Sequence, residues 1–387
     1  MFYQFIRLFY QLILHILYTL MYLGSVFNKK IGKWFNLRKD WKSKFKNTDL
    51  KGCIWIHAAS VGEFEMAVPL IRQIKKENNV AKIVVSFFST SGIEFYKTHE
   101  FVDFFFLLPK DFKKNIQFII DKIQPKMLII AKNERWLNLI KTTQQNKIPV
   151  FVIEAEEKQF NLFYQIYYNY LQQFIIDIFY INNGSLKIES VKSLARKELD
   201  DIRNFCNNHF TIILGSCYDE EISLIAKYYN QHKNVKIIIC PHEIDVQKFQ
   251  EYQKLFDKKI SLYSKNEFDS DILLIDEMGI LKYIYLYTDI AFIGGGFRKK
   301  LHNFFEAAIY ENIILFGHRI KNDVLTEIVI TENLVTKISN YNDLESVINL
   351  YKNNPEKIND NKQKWHSFFE LHQNCSEFIW QKISEKL

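Results

Sequence analysis

Cysteines are few in this chain, and metal-ligand clusters and dinucleotide fingerprints are missing. Each absence removes a class of function. Five cysteines (Cys53, Cys206, Cys217, Cys240, Cys375) are scattered over 387 residues without a C-x-x-C pair. An odd, unspaced set is no disulfide framework; these read as reduced, mostly buried thiols of a protein facing a reducing compartment. No His/Asp/Glu cluster has ligand spacing, so no metal and no resident cofactor is expected. No G-x-G-x-x-G with an acid in the dinucleotide position supports a nicotinamide site. Repeats, low-complexity segments and long disordered linkers are also missing. The net charge of +7 is modest. It suits an anionic membrane surface or substrate and is far from a nucleic-acid signature, so no nucleic-acid partner is expected.

The chain is 48% hydrophobic and 25% charged, ample for a sizeable core and for two domains. From Leu8 to Phe27 it reads LFYQLILHILYTLMYLGSVF, about long enough to cross a bilayer core. No small-residue cleavage site marks it as a removed signal. Lys29, Lys30, Lys33, Arg38, Lys39, Lys42, Lys44 and Lys46 follow, a flank that stays cytoplasmic. Gln4, Arg7, Gln11 and His15 recur at helical spacing, so an interfacial helix is an alternative to a span. Residues 1–27 are therefore expected to be a membrane anchor or interfacial helix. The catalytic body is then expected on the cytoplasmic face of the inner membrane. A core helix of a soluble domain is the third reading.

Beyond residue 50, apolar runs of strand length alternate with amphipathic stretches. The runs are Cys53–His57, Ile83–Phe88, Phe104–Leu108, Met127–Ala131, Val150–Ile153 and Phe174–Ile181. After a polar stretch near Asn182–Glu189 they resume at Thr211–Leu214, Val235–Cys240, Ile272–Ile275, Ile290–Ile293 and Ile313–Phe316. This pattern predicts an α/β protein of two doubly wound, Rossmann-like domains with mostly parallel sheets, facing an active-site cleft. Expected bounds are 28–185 and 186–387. The stretch Asp360–Leu387 reads as helix, and its end is expected to pack back on the first domain.

Several strand ends carry chemistry. Ile54–His57 runs into Ala58-Ala59-Ser60-Val61-Gly62-Glu63. That puts Glu63 at the C-terminal edge of a strand, where open sheets hold ligands and a carboxylate can take a proton. Alternatively Ser60-Val61-Gly62-Glu63 is a capping box in which Glu63 satisfies a backbone N–H. Gly215-Ser216 precedes Asp219-Glu220-Glu221, a turn suited to a phosphate or an ordinary β-to-α connection. His242, in Pro241-His242-Glu243, either contacts a nucleotide or caps a helix. Asp276-Glu277-Met278-Gly279 follows another strand, and Gly294-Gly295-Gly296 allows close backbone approach to a ligand. In His302-Asn303-Phe304-Phe305-Glu306, Glu306 can hold a ribose diol, or Asn303 and Glu306 can form a capping box.

In this order the motifs resemble those of the 3-deoxy-D-manno-oct-2-ulosonic acid (Kdo) transferases of lipopolysaccharide synthesis. The likeness covers Ser60–Glu63 (S-V-G-E), Ser91-Gly92, Leu108–Asp111 (L-P-x-D), Gly215-Ser216, Asp276–Gly279 (D-x-M-G), Ala291–Gly295 (A-F-V-G-G) and His302–Ala308 (G-G-H-N-x-x-E-A-A). The resemblance implies a GT-B glycosyltransferase, with the acceptor in the N-terminal domain and CMP-Kdo in the C-terminal one. It implies transfer of Kdo to a lipid A precursor with inversion and without a bound metal. Glu63 is then the general base. Ser60, Gly62, Lys132, Glu134 and Arg135 are expected at the acceptor. Gly215, Ser216, Pro241, His242, Met278, Gly279, Gly294, Gly295, His302, Asn303 and Glu306 are expected at the donor.

The chain also departs from the pattern. E-T-E-L-W-P-N reads Lys132–Asn138, with Lys132 in place of an acid. N-A-R-L-S reads Glu154–Lys158, P-R-H reads Pro241-His242-Glu243, and the two glycines before H-N are Lys300 and Leu301. A non-catalytic member that binds lipid A precursor or nucleotide at the membrane is one alternative. A GT-B transferase using another sugar nucleotide is a second.

Overall fold

The apolar runs form strands because parallel strands are covered on both faces and tolerate little polarity. The computed structural model describes residues 2–46, 48–132, 134–154, 171–178, 185–193, 197–320 and 324–387. Asn133, residues 155–158 and the end of the expected strand beyond residue 178 lie outside them. The chain divides into two units, Met1–Ser193 with His372–Leu387, and Leu194–Leu371.

In the first unit six parallel strands, β1 (Ile54–Ala58), β2 (Ile83–Phe87), β3 (Phe104–Leu107), β4 (Met127–Ala131), β5 (Val150–Ile153) and β6 (Ile176–Ile178), lie in the order 3-2-1-4-5-6. Every residue of β1, β2, β4 and β5 is buried. The helix Val61–Glu77 lays Phe64, Ala67, Ile71 and Ile74 on one face of the sheet. Helices Lys113–Ile123 and Leu137–Gln145 cover the other face with Ile116, Ile120, Leu139 and Ile140.

The second unit has β7 (Thr211–Cys217), β8 (Lys236–Pro241), β9 (Ser261–Leu262), β10 (Ile272–Leu274), β11 (Ile290–Ile293), β12 (Ile313–Gly317) and β13 (Val335–Ile338). They form one parallel sheet in the order 13-12-11-7-8-10-9. The runs at β9 and β13 are too short or too polar to stand out in the sequence.

Two boundaries differ from the reading above. The helix Leu186–Lys192 belongs to the first unit: it packs on Val61–Glu77, and its N-cap Ser185 donates to the Glu154 carboxylate at 2.7 Å. Glu154 also accepts the Leu186 N–H at 2.8 Å. The division therefore falls after Ser193 rather than after residue 185. The C-terminal stretch is two helices, Pro355–Leu371 and Cys375–Ser384, broken where Asn374 takes a left-handed φ of 58°. The first stays in the second unit and buries Trp365 and Phe368; the second packs Ile379 and Ile383 into the first unit's core.

The N-terminal helix, Phe2–Gly24, docks on the first unit by Leu14 and Tyr18. Of its polar row, half-buried Gln11 donates from Nε2 to Asn138 Oδ1 at 3.0 Å, while His15 stays exposed with its ring stacked on Phe112 at 4.9 Å. The apolar face is turned outward. Leu8, Leu12, Ile16, Leu20 and Leu23 are 52–70% exposed. Among the described residues no single helix is long and apolar enough to cross a membrane; Leu8–Gly24 and Lys29–Asn36 meet at a bend of 117°. In the basic flank Arg38 is an exception, being buried rather than exposed. It donates to the carbonyls of Leu108, Trp34 and Phe88, and burial pulls its pKa down to about 9.

Candidate functional site

A doubly wound sheet opens a crevice where the chain reverses direction across it, at the carboxyl ends of the two central strands. In the first unit these are β1 and β4. β1 ends at Ala58 and delivers Ser60 to Glu63; β4 ends at Ala131 and delivers Lys132 to Arg135. Both expected segments thus arrive at one edge.

Ser60 caps the helix Val61–Glu77, its Oγ accepting the Glu63 N–H at 3.4 Å. The Glu63 carboxylate accepts the N–H of Ala59, one residue ahead of the cap position a capping box would use. A Cβ at Gly62 would meet nothing within 4 Å, so space beside this helix end is open. Burial raises the Glu63 pKa; the Ala59 N–H opposes this, the Glu134 charge adds to it, and Lys132 opposes it. Desolvation therefore outweighs the N–H groups at the helix start. Lys132 and Glu134 share the electrostatic surroundings of Glu63, whereas Arg135 is buried.

Asp111 was missed as a functional anchor, although its motif was read. It is fully buried and accepts the N–H groups of Asn138 (3.0 Å) and Leu139 (2.8 Å) and the Tyr10 hydroxyl (2.7 Å). It thereby caps the helix after Glu134–Trp136 and ties it to the N-terminal helix. Burial pushes its pKa up to about 6.

In the second unit the reversal lies between β7 and β11. Gly215 and Ser216 do not close a strand. They form an irregularity inside β7, where Ser216 has φ 52° and the register slips before Cys217 pairs with Pro241. The glycines after β11 answer to neighbouring chain. A Cβ on Gly294 would lie 2.0 Å from the Ser216 carbonyl oxygen, and Gly295 has φ 85°. Their amides are already engaged: Gly294 N–H donates to Gly215 O at 2.9 Å and Gly295 N–H to the buried Glu221 carboxylate at 3.1 Å. Both amides are thus engaged within the unit. Glu221 also accepts the Tyr218 N–H at 2.9 Å, joining the start of the helix Asp219–Gln231 to the glycine loop.

Tyr218, His242 and His302 form an aromatic wall. The two imidazoles lie 4.5 Å apart, and Tyr218 Oη is 3.2 Å from His302 Nε2. Burial, then the neighbouring His242 and Lys300, lowers the His302 pKa to about 4. Asn303 Nδ2 donates to Glu306 at 3.0 Å, while Asn303 Oδ1 accepts the Phe305 N–H at 3.3 Å. Glu306 is the second residue of a single turn, Phe305–Ala308, not one turn inside a longer helix. Its charge acts on the buried Tyr285, whose hydroxyl lies under Gly215. Met278 and Gly279 stand apart on an exposed loop after β10, two strands from β7.

Residues 36–177 match the family described as 3-Deoxy-D-manno-octulosonic-acid transferase (kdotransferase). The chain is similar to the 3-deoxy-D-manno-octulosonic acid transferase of Aquifex aeolicus, 27% identical over 293 residues covering 71% of this chain and 78% of that protein. The enzyme of that name from Chlamydia muridarum is 26% identical over 371 residues, covering 82% of this chain and 83% of that one. In fold the chain is similar to UDP-GlcNAc 2-epimerase from Neisseria meningitidis, with a TM-score of 0.57, 13% identity, and coverage of 86% of this chain and 100% of that one.

Proposed function

Because residues 36–177 match the 3-deoxy-D-manno-octulosonic-acid (Kdo) transferase family and the chain has a GT-B-like fold, we propose that it is an inverting glycosyltransferase that moves Kdo from CMP-Kdo to a lipid A precursor. The observation that carries the reading is Glu63, a carboxylate of raised pKa at the β1/β4 edge beside Lys132, Glu134 and open space. A carboxylate held toward neutrality is a stronger base once ionised. Glu63 accepts the proton of an acceptor hydroxyl, that oxygen bonds to the anomeric carbon, and CMP leaves with the electron pair of the broken bond. Lys132 offers a cation to the acceptor's phosphates.

The donor is a co-substrate in this reading, held in the second unit by the β7/β11 edge, with Asn303 and Glu306 on the ribose. The acceptor is a lipid, and the N-terminal helix supports a membrane setting. Its exposed leucines suit burial at the headgroup boundary while Leu14, Tyr18 and Gln11 face the protein. We assign the body to the cytoplasmic face of the inner membrane. The test is incubation of the purified full chain with CMP-Kdo and a lipid A precursor, read by mass spectrometry. A mass increase of one or more Kdo units is expected. Hydrolysis or binding without a product of that mass would reject the activity.

A further inference from the structure

We propose that Lys300 is the binding residue for the phosphate of the donor nucleotide, in place of the arginine that the resembled P-R-H pattern carries at His242. The inference rests on the donor reading above. Its ground is one cavity of about 300 Å³ in the second unit, lined by Tyr218, Pro241, His242, Lys248, Arg298 and Lys300, with Glu243 also on its wall.

Three cations reach this cavity, and two are engaged. Arg298 grips the Glu220 carboxylate, with Nε at 2.9 and 3.0 Å from its two oxygens, and lies over the Tyr218 ring at 4.2 Å. Lys248 Nζ sits 3.0 Å from both oxygens of Asp219. Lys300 is exposed and, among the described residues, its ammonium meets no carboxylate. Its charge instead acts on His242 and His302, helping to lower the pKa of both after burial. Burial and the Lys300 charge disfavour a proton on His242, and the Glu243 charge opposes them. The wall also carries the Glu243 and Asp245 carboxylates, and Lys300 is the one of its three cations that forms no ion pair among the described residues, which leaves its ammonium available to a phosphate.

The backbone places this cation at the sheet edge. Lys300 N–H donates to Gly295 O at 3.1 Å, and a Cβ on Gly295 would come within 2.0 Å of Lys300 O. His302 N–H donates to Gly294 O at 3.2 Å. The loop is thus clamped to the end of β11, beside β7, where a doubly wound sheet receives a ligand. The two departures from the resembled pattern meet here. An arginine is lost at 242 and a lysine replaces a glycine at 300, and both positions line the same cavity. The positive charge is kept and enters from a different strand end. The Gly294 and Gly295 amides are spent within the unit, which leaves the Lys300 ammonium as a donor at this edge.

The test is calorimetric titration of the full chain in detergent with CMP, cytidine, UMP, uridine and inorganic phosphate. Lys300→Gln is expected to weaken CMP about tenfold and to leave cytidine unchanged, because only the phosphate loses a charge-assisted bond. His242→Arg in the Lys300→Gln background is expected to restore CMP affinity. Unchanged CMP affinity in Lys300→Gln, or equal weakening of CMP and cytidine, would overturn the assignment. Inorganic phosphate binding as tightly as CMP would make this a free-anion site and also overturn it. Binding of UMP but not CMP would reject the Kdo-donor reading. The Lys300 assignment would stand in that case if Lys300→Gln weakened UMP and spared uridine.

Discussion

The buried carboxylate of Asp111 accepts the backbone N–H of Asn138 at 3.0 Å, while the Asn138 side-chain amide donates to the Asp111 carbonyl oxygen at 2.6 Å. Two residues from separate motifs thus form one joint, 27 positions apart in the chain. Gln11 and Tyr10 of the N-terminal helix bond to the same pair. The helix that faces outward with leucines is therefore attached directly to the helix that follows Glu134–Trp136.

Asp111→Ala should destabilise the chain by about 3 kcal/mol, since it strands two helix N–H groups and the Tyr10 hydroxyl. The pH dependence has a definite sign. The folded pKa of about 6 lies above the unfolded value, so the group's contribution is fully present below about pH 4 and is lost as pH rises through 6. Denaturant midpoints of the wild type, measured against Asp111→Asn, should fall between about pH 4 and pH 7. A difference that stays flat or grows over that range would contradict the buried, raised carboxyl.

Glu63→Gln keeps an oxygen for the Ala59 N–H but cannot accept a proton. Turnover should drop about 10²-fold or more with the unfolding midpoint nearly unchanged. Near-normal turnover would leave Glu63 as a helix cap only.

The acid limb of kcat/KM should report Glu63, which works ionised, and so lie above the ordinary carboxylate range. Glu134→Gln removes a charge that disfavours ionisation and should move the limb to lower pH. Lys132→Gln removes one that favours it and should move the limb up. Shifts in the same direction for both variants would refute this electrostatic arrangement.

Glu306→Ala should weaken CMP binding about tenfold or more by removing the proposed contacts to the ribose, and leave acceptor binding intact. Unchanged CMP affinity in calorimetry would remove Glu306 from the donor site.

Leu12→Glu combined with Ile16→Glu and Leu20→Glu changes only exposed positions of the N-terminal helix. Vesicle sedimentation should show much of the protein released. The exposed lysines, worth on the order of 1 kcal/mol each near anionic lipid, should hold a remainder that high salt removes. A triple variant that sediments fully in high salt would place the membrane contact elsewhere.

The alternating α/β pattern, the parallel sheets and the strand-end positions of the motifs after β1 and β11 were legible in the chain itself, whereas Gly215-Ser216 lies inside β7. A strand covered on both faces must be apolar along its length, and the turn that follows β1 or β11 must then carry the polar and glycine residues. Local signals of this kind located Ile54–Ala58 and Ile290–Ile293 to within a residue. Tertiary structure decided what each motif residue does, because its partner lies far along the chain. Gly295 spends its amide on Glu221, 74 positions away, and Arg38 is buried against the Leu108 carbonyl, 70 positions away. His242 and Lys300 line one cavity although 58 positions separate them in the numbering. The outward face of the N-terminal helix was equally beyond sequence, since helical spacing shows which residues share a side but not which side meets the protein.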